Sequence, residues 1–241
     1  MLDDWYSVIR LPLSSTQFQQ LPRNAVYLYE YFDGQAHLTP RPKTFNALLA
    51  WSKGNLPIAK ELSGVLFRPL REEDWASLPD LFVDAFAGMQ PFASLSVDDR
   101  RRCALECLDQ THNGGDGPII ADSCIVAQSE DDNDLLGAML VSLIPRRSEG
   151  QWWNGLWDEP PPSDAISTRM GRPHLTWVFV GPAHASCGIG SQLLARAVAA
   201  LDKLGYTDIA STFLVGNDPS VMWHWRNGFR LLRHAASCRI E

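Results

Sequence analysis

The sequence predicts a mixed α/β domain preceded by a small appendage, and three observations carry that expectation. The apolar run Leu175 to Val180, stopped by Gly181 and Pro182, reads as a buried strand. Past a Gly188-Ile189-Gly190 turn, Ile189, Leu193, Leu194, Ala197, Val198 and Leu201 recur at helical spacing, and Gly205 stands where a left-handed cap ends a helix. A second strand, Thr207 to Val215, leads into Asp218-Pro219, an N-cap and first-turn pair opening a helix of barely two turns that Gly228 closes.

The other elements follow in chain order. Residues 1–63 form an N-terminal extension, and residues 64–241 the main domain. In the extension, Ala25 to Phe32 and Gln35 to Thr39 flank Asp33-Gly34, the composition of a tight β-hairpin. Pro40 and Pro42 end it, and Lys43 to Trp51 is expected as a helix carrying Phe45, Leu48 and Leu49. The extension repeats neither glycine motif, so a tandem duplication is not expected. The main domain opens with a short strand from Val65 to Leu70. Trp75, Leu78, Leu81, Phe82, Ala85 and Phe86 then mark a helix that Pro79 restarts in its first turn. Ser96 to Asp99 resembles a capping box before a second helix through Cys107 and Leu108. Ser123–Gln128 and Leu135–Ile144 are two strands joined by the acidic turn Glu130 to Asp134, whose spacing is not that of an EF-hand and which reads as a solvated hairpin tip. Pro145 to Pro173 is a long connection containing Trp152, Trp153 and Trp157. Two readings are open for it: a lid or wall over a binding site, or packing onto the core or onto a second subunit, as in a homodimer.

Composition excludes several function classes. A formal charge of −7 argues against a nucleic-acid binder and weakly favours cationic partners such as amines. With no secretory signal pattern and no apolar run of membrane-crossing length, the expectation is a cytoplasmic protein without membrane association. The five cysteines, 103, 107, 124, 187 and 238, have no Cys-x-x-Cys pair, so neither a disulfide framework nor a metal site is expected. Cys103 and Cys107 read as core residues. Cys187 immediately precedes the glycine turn, at a helix N-terminus.

The glycine turn sits where a strand hands over to a helix. Without a Cβ at Gly188 and Gly190, a ligand can approach the unpaired N–H groups of the helix N-terminus, a geometry suited to pyrophosphate. On the residues alone the turn serves either such a ligand or merely close packing. Ser191-Gln192 stands where a phosphate-binding loop of NTPases needs Lys-Ser/Thr, and Leu193 replaces the third glycine of a dinucleotide fingerprint.

Taken together, Ala185-Ser-Cys-Gly-Ile-Gly190 followed by Ser191-Gln-Leu-Leu194, and Asn217, Ser220, His224, Gly228 and Phe229 in the order Asn-x-x-Ala-x-x-x-Tyr then Gly-Phe, resemble the GCN5-related N-acetyltransferase (GNAT) superfamily. The resemblance implies a mostly antiparallel central sheet flanked by helices and splayed around acetyl-CoA. It implies an N-acetyltransferase acting by direct attack of an amine, of a small molecule or a protein, on the thioester. Backbone N–H groups at Val178 and Val180 would polarise the carbonyl. Ala185, Ser186, Cys187, Gly188, Ile189, Gly190 and Ser191 would hold the pyrophosphate, and Asn217 and Ser220 the pantetheine end. His224 takes the place of the tyrosine acid. Ala185 replaces an Arg or Gln, and Thr176, Trp177 and Val178 stand where a carboxylate base is usual, so a non-catalytic acyl-CoA sensor is the alternative. Glu149, Asp158, Glu159 and Asp164 are candidate substitutes for that base.

Overall fold

The computed structural model describes residues 9–22, 27–40, 44–89, 92–146, 157–214 and 217–232. Trp152, Trp153, Glu149 and Cys238 lie outside them. Near the N-terminus, β1 (Ile9–Leu11), β2 (Tyr27–Phe32) and β3 (Gln35–Pro40) form a three-stranded sheet, with the short helix α1 (Ser15–Gln20) between β1 and β2. The expected hairpin is present: Asp33 and Gly34 both take positive φ, 52° and 71°, as a two-residue turn matched to strand twist requires.

The main sheet has seven strands in the order β10-β4-β9-β8-β7-β6-β5, and every neighbouring pair except β8 with β9 is antiparallel. Here β4 is Thr44–Ala50, β5 Val65–Pro69, β6 Ile125–Ser129, β7 Leu135–Pro145, β8 Gly171–Val180, β9 Asp208–Leu214 and β10 Arg230–Leu231. β4 corrects the helix expected over Lys43 to Trp51. Its seven residues pair with β9 along their whole length, and Ala47 and Leu48 also pair with β10. An interior strand buries both faces, so its apolar residues need not alternate; Phe45, Leu48 and Leu49 imitate helical spacing by accident.

The expected helices are present with shifted ends. A 3-10 turn over Glu72–Ala76 precedes α2 (Leu78–Ala85), which carries Pro79 in its first turn. α3 (Val97–His112) is capped by Ser96, whose hydroxyl accepts from the Asp99 N–H at 3.1 Å. α4 (Ile189–Lys203) ends before Gly205, at φ 85°. α5 (Asp218–Arg226) is capped one residue earlier than expected, by Asn217 rather than Asp218, because the Asn217 side chain reaches the Ser220 N–H at 3.1 Å. Gly228, at φ 83°, closes it.

The helices lie on both faces of the sheet. Phe179 and Trp177 of β8 meet Phe82 of α2 edge-on at ring distances of 5.4 and 5.1 Å. Val180, on the opposite face by strand alternation, lies beside Gly137 together with Ile189 of α4. Leu193, Leu194, Ala197, Val198 and Leu201 of α4 are all in the core, and each buried leucine contributes about 2 kcal/mol. Burial raises the thiol pKa of both Cys103 and Cys107, and that of Cys124 to about 12. No helix among the described residues is long and apolar enough to cross a membrane.

Candidate active site between the diverging strands

β8 and β9 are hydrogen-bonded neighbours only at His174–Ala210 and Leu175–Ser211. Beyond that point β8 stays with β7 as far as Val180, while β9 stays with β4 as far as Leu214, and the two strands part. A register shift between Leu140 and Val141 inserts Thr176 as an extra residue at the branch, with its hydroxyl 2.8 Å from that of Ser142. Gly181 N–H donates to the Leu136 carbonyl at 2.8 Å, which fixes the phase of the ladder. Two and four residues back, Phe179 and Trp177 are therefore the β8 residues bonded to β7. The backbone N–H groups of Val178 and Val180 point the other way, into the gap.

A cavity of about 940 Å³ fills this gap and runs to the N-terminus of α4. There Gly188 takes φ 88° and a Cβ on it would meet nothing within 4 Å, so the approach to the helix is open. The Ser191 N–H already donates to the Gly188 carbonyl at 3.1 Å, leaving those of Ile189 and Gly190 without an acceptor inside the helix. Ile189 is itself 2% exposed and anchors the turn from beneath. A Cβ on Gly190 would lie 2.9 Å from Nε1 of Trp223, so this glycine lets the indole close over the helix end. That indole N–H is buried and has no partner among the described residues.

Of the residues singled out from the sequence, Val178, Val180, Ala185, Ser186, Gly188, Ile189, Gly190, Ser191, Asn217, Ser220 and His224 line the cavity together. Cys187 does not: it is exposed, its thiol turned to the Ala185 carbonyl. Asn217 spends its carbonyl oxygen on the α5 cap, leaving its amide NH₂ for a ligand.

His224 is 3% exposed and stacks on Phe213 with ring centroids 4.1 Å apart. Its Nδ1 lies 2.7 Å from the Ser220 carbonyl oxygen, which can only accept, so Nδ1 carries the proton. Nε2 then accepts from the Ser211 hydroxyl at 2.7 Å. Burial lowers the pKa of the ring to about 4, against the opposing pull of the Ser220 hydrogen bond. His224 is thus neutral at pH 7, with both nitrogens engaged.

Sequence reasoning missed Ser211, Trp223, Thr44, Phe86 and Trp177, all of which line the cavity. Thr44 was hidden by the misassigned helix. Ser211 falls in the segment read as a strand, on the face of Ile209 and Phe213, but only the packing of α5 brings His224 against it. No carboxylate lines the cavity among the described residues, and Asp158, Glu159 and Asp164 are exposed. Trp157 donates to the Leu143 carbonyl at 2.8 Å and does not line the cavity.

The model of the acetyltransferase (GNAT) family matches residues 97–229, more than half of the chain. The chain belongs to this family. Among solved structures, a GCN5-related N-acetyltransferase from Sphaerobacter thermophilus is similar at 15% identity and TM-score 0.51, over 93% of this chain and 57% of that one. This GNAT chain thus spans little more than half of the Sphaerobacter protein's length. A GNAT family acetyltransferase from Brucella melitensis in complex with acetyl-CoA matches at 19% identity over 72% of this chain and 97% of that one, with TM-score 0.44. An aminoglycoside 6'-N-acetyltransferase from Acinetobacter haemolyticus matches at 16% identity, over 70% and 94%, with TM-score 0.45. At these identities the likeness concerns the fold alone. No curated protein matches.

Proposed function

We propose that this GNAT chain is an N-acetyltransferase that moves the acetyl group of acetyl-CoA to an amine by direct attack in a ternary complex. The observation that carries the reading is the single cavity joining the gap between β8 and β9 to the open N-terminus of α4. The diphosphate would lie against the N–H groups of Ile189 and Gly190, where the helix dipole favours negative charge. The pantetheine arm then runs along β8 toward Asn217 and Ser220. At the thioester, the acceptor nitrogen bonds to the carbonyl carbon, the C–S bond breaks to release the CoA thiolate, and the proton lost by the nitrogen passes through solvent to that thiolate. The Val178 and Val180 N–H groups face the position of the developing oxyanion.

His224 has a narrower role in this scheme than that of an imidazolium acid. The neutral ring takes the single Ser211 hydroxyl hydrogen on Nε2, so neither His224 nor Ser211 has a hydrogen to give the departing thiolate, and the pair instead fixes the wall of the cavity beside it. With no carboxylate lining the cavity among the described residues, the acceptor attacks as a free amine. The locked, neutral His224 also suits a second reading, a module that binds acyl-CoA without turning it over.

Calorimetric titration with acetyl-CoA, CoA and ATP, followed by a thiol-release assay with amines, separates the readings. Binding of acetyl-CoA and CoA but not ATP, with amine-dependent thiol release, is the expected result. Binding without release favours the sensor, and no binding of either CoA species overturns both.

A further inference from the structure

The two ends of the cavity differ in chemistry. One end offers N–H donors at α4 and suits an anion. The other is bounded by Phe86, Met89, Phe92 and Trp177. Trp177 is rigidly held, for its Nε1 donates to the Thr111 hydroxyl at 2.9 Å while its ring stands edge-on to Phe82 at 5.1 Å and Phe86 at 6.2 Å. Phe86 and Phe92 meet at 5.2 Å. Two hydroxyls of the cavity lining are already engaged in the sheet: Thr212 donates to Asn46 at 2.9 Å, and Thr176 sits 2.8 Å from Ser142.

An acceptor with several ammonium groups would give up hydration here without meeting a counter-charge among the described residues, whereas an aromatic body would be buried edge and face against rings. We infer that the acceptor of this GNAT chain is a monoamine carried on an aromatic or apolar body, an inference that rests on the acyl-transfer reading above. Among the described residues, the chain's overall negative charge does not extend to the lining of the cavity. The same apolar surface would also suit a longer acyl chain on the donor, so the two sources of an apolar group are tested separately.

The test uses the full chain with acetyl-CoA and follows thiol release with phenethylamine, methylamine, spermidine and kanamycin, then compares acetyl-CoA with hexanoyl-CoA at fixed phenethylamine. The expected kcat/KM for phenethylamine exceeds those for methylamine, spermidine and kanamycin by about tenfold or more, with acetyl-CoA the better donor. Phe86→Ala is expected to raise KM for phenethylamine by about tenfold with kcat nearly unchanged. Met89→Glu, which places a carboxylate at that end, is expected to shift preference toward spermidine. A wild-type preference for spermidine or kanamycin overturns the inference while leaving acyl transfer intact. So does a gain from hexanoyl-CoA with phenethylamine no better than methylamine, since the apolar end then belongs to the donor. Acetyl-CoA binding without phenethylamine turnover also overturns it, and failure to bind acetyl-CoA removes the underlying reading as well.

Discussion

Because His224 donates from Nδ1 to Ser220 and accepts at Nε2 from Ser211, a proton added to the ring must displace the Ser211 hydrogen and enter a site that is 3% exposed. The folded pKa, about 4, lies below the value near 6.5 expected for the unfolded chain. Between those values the unfolded state binds more protons. The stability from the neutral ring is therefore complete above pH 6.5 and lost as pH falls toward 4, by about 3 kcal/mol. Urea denaturation at pH 7.5 and 4.5 should show this loss, and His224→Gln should reduce it. His174, whose pKa burial also lowers to about 4, retains its own share in that variant. His224 was visible in the sequence through its place in a motif, but its chemistry was not, because the burial and the Ser211 contact arise only when β9 and α5 pack.

At the scale of elements, the start of the domain is tied by a buried ion pair. Arg68 of β5 grips Asp74 of the following 3-10 turn with two hydrogen bonds of 2.6 and 2.8 Å, and its Nε reaches Gln128 of β6 at 2.8 Å. Burial opposes ionisation of Asp74, yet the Arg68 hydrogen bonds and the Arg71 N–H outweigh it and hold the carboxyl below its ordinary pKa. Asp74→Asn leaves a guanidinium without its counter-charge and should cost about 3 kcal/mol in urea denaturation at pH 7. The wild-type advantage should shrink as pH falls through the depressed pKa. Turns and caps such as Asp33-Gly34, Gly188, Gly205 and Gly228 were legible because each demands a backbone conformation that few residues adopt. β4 was not. An interior strand loses the alternation that identifies strands, and its neighbours, β9 and β10, come from the far end of the sequence.

For the molecule as a whole, the main sheet is closed around β9 by a strand from the first fifth of the sequence. The chain starting at residue 64 lacks β4 and leaves the β9 edge and the core contacts of Ala47 and Leu49 bare. It should be insoluble or lack a cooperative thermal transition, whereas the chain starting at residue 43 should keep one; circular dichroism melts of the two decide the matter. Thr44 also lines the cavity, so the same strand helps to complete the site. During synthesis, the apolar β4 leaves the ribosome long before its partners exist: Phe45 waits for Phe213, and Leu48 for both Ala210 and Arg230. Such non-local pairing slows folding and keeps a sticky segment unpaired for most of translation. The yield of the newly made chain should therefore depend on holding chaperones more than its final stability does, and expression with such chaperones depleted should lower the soluble fraction.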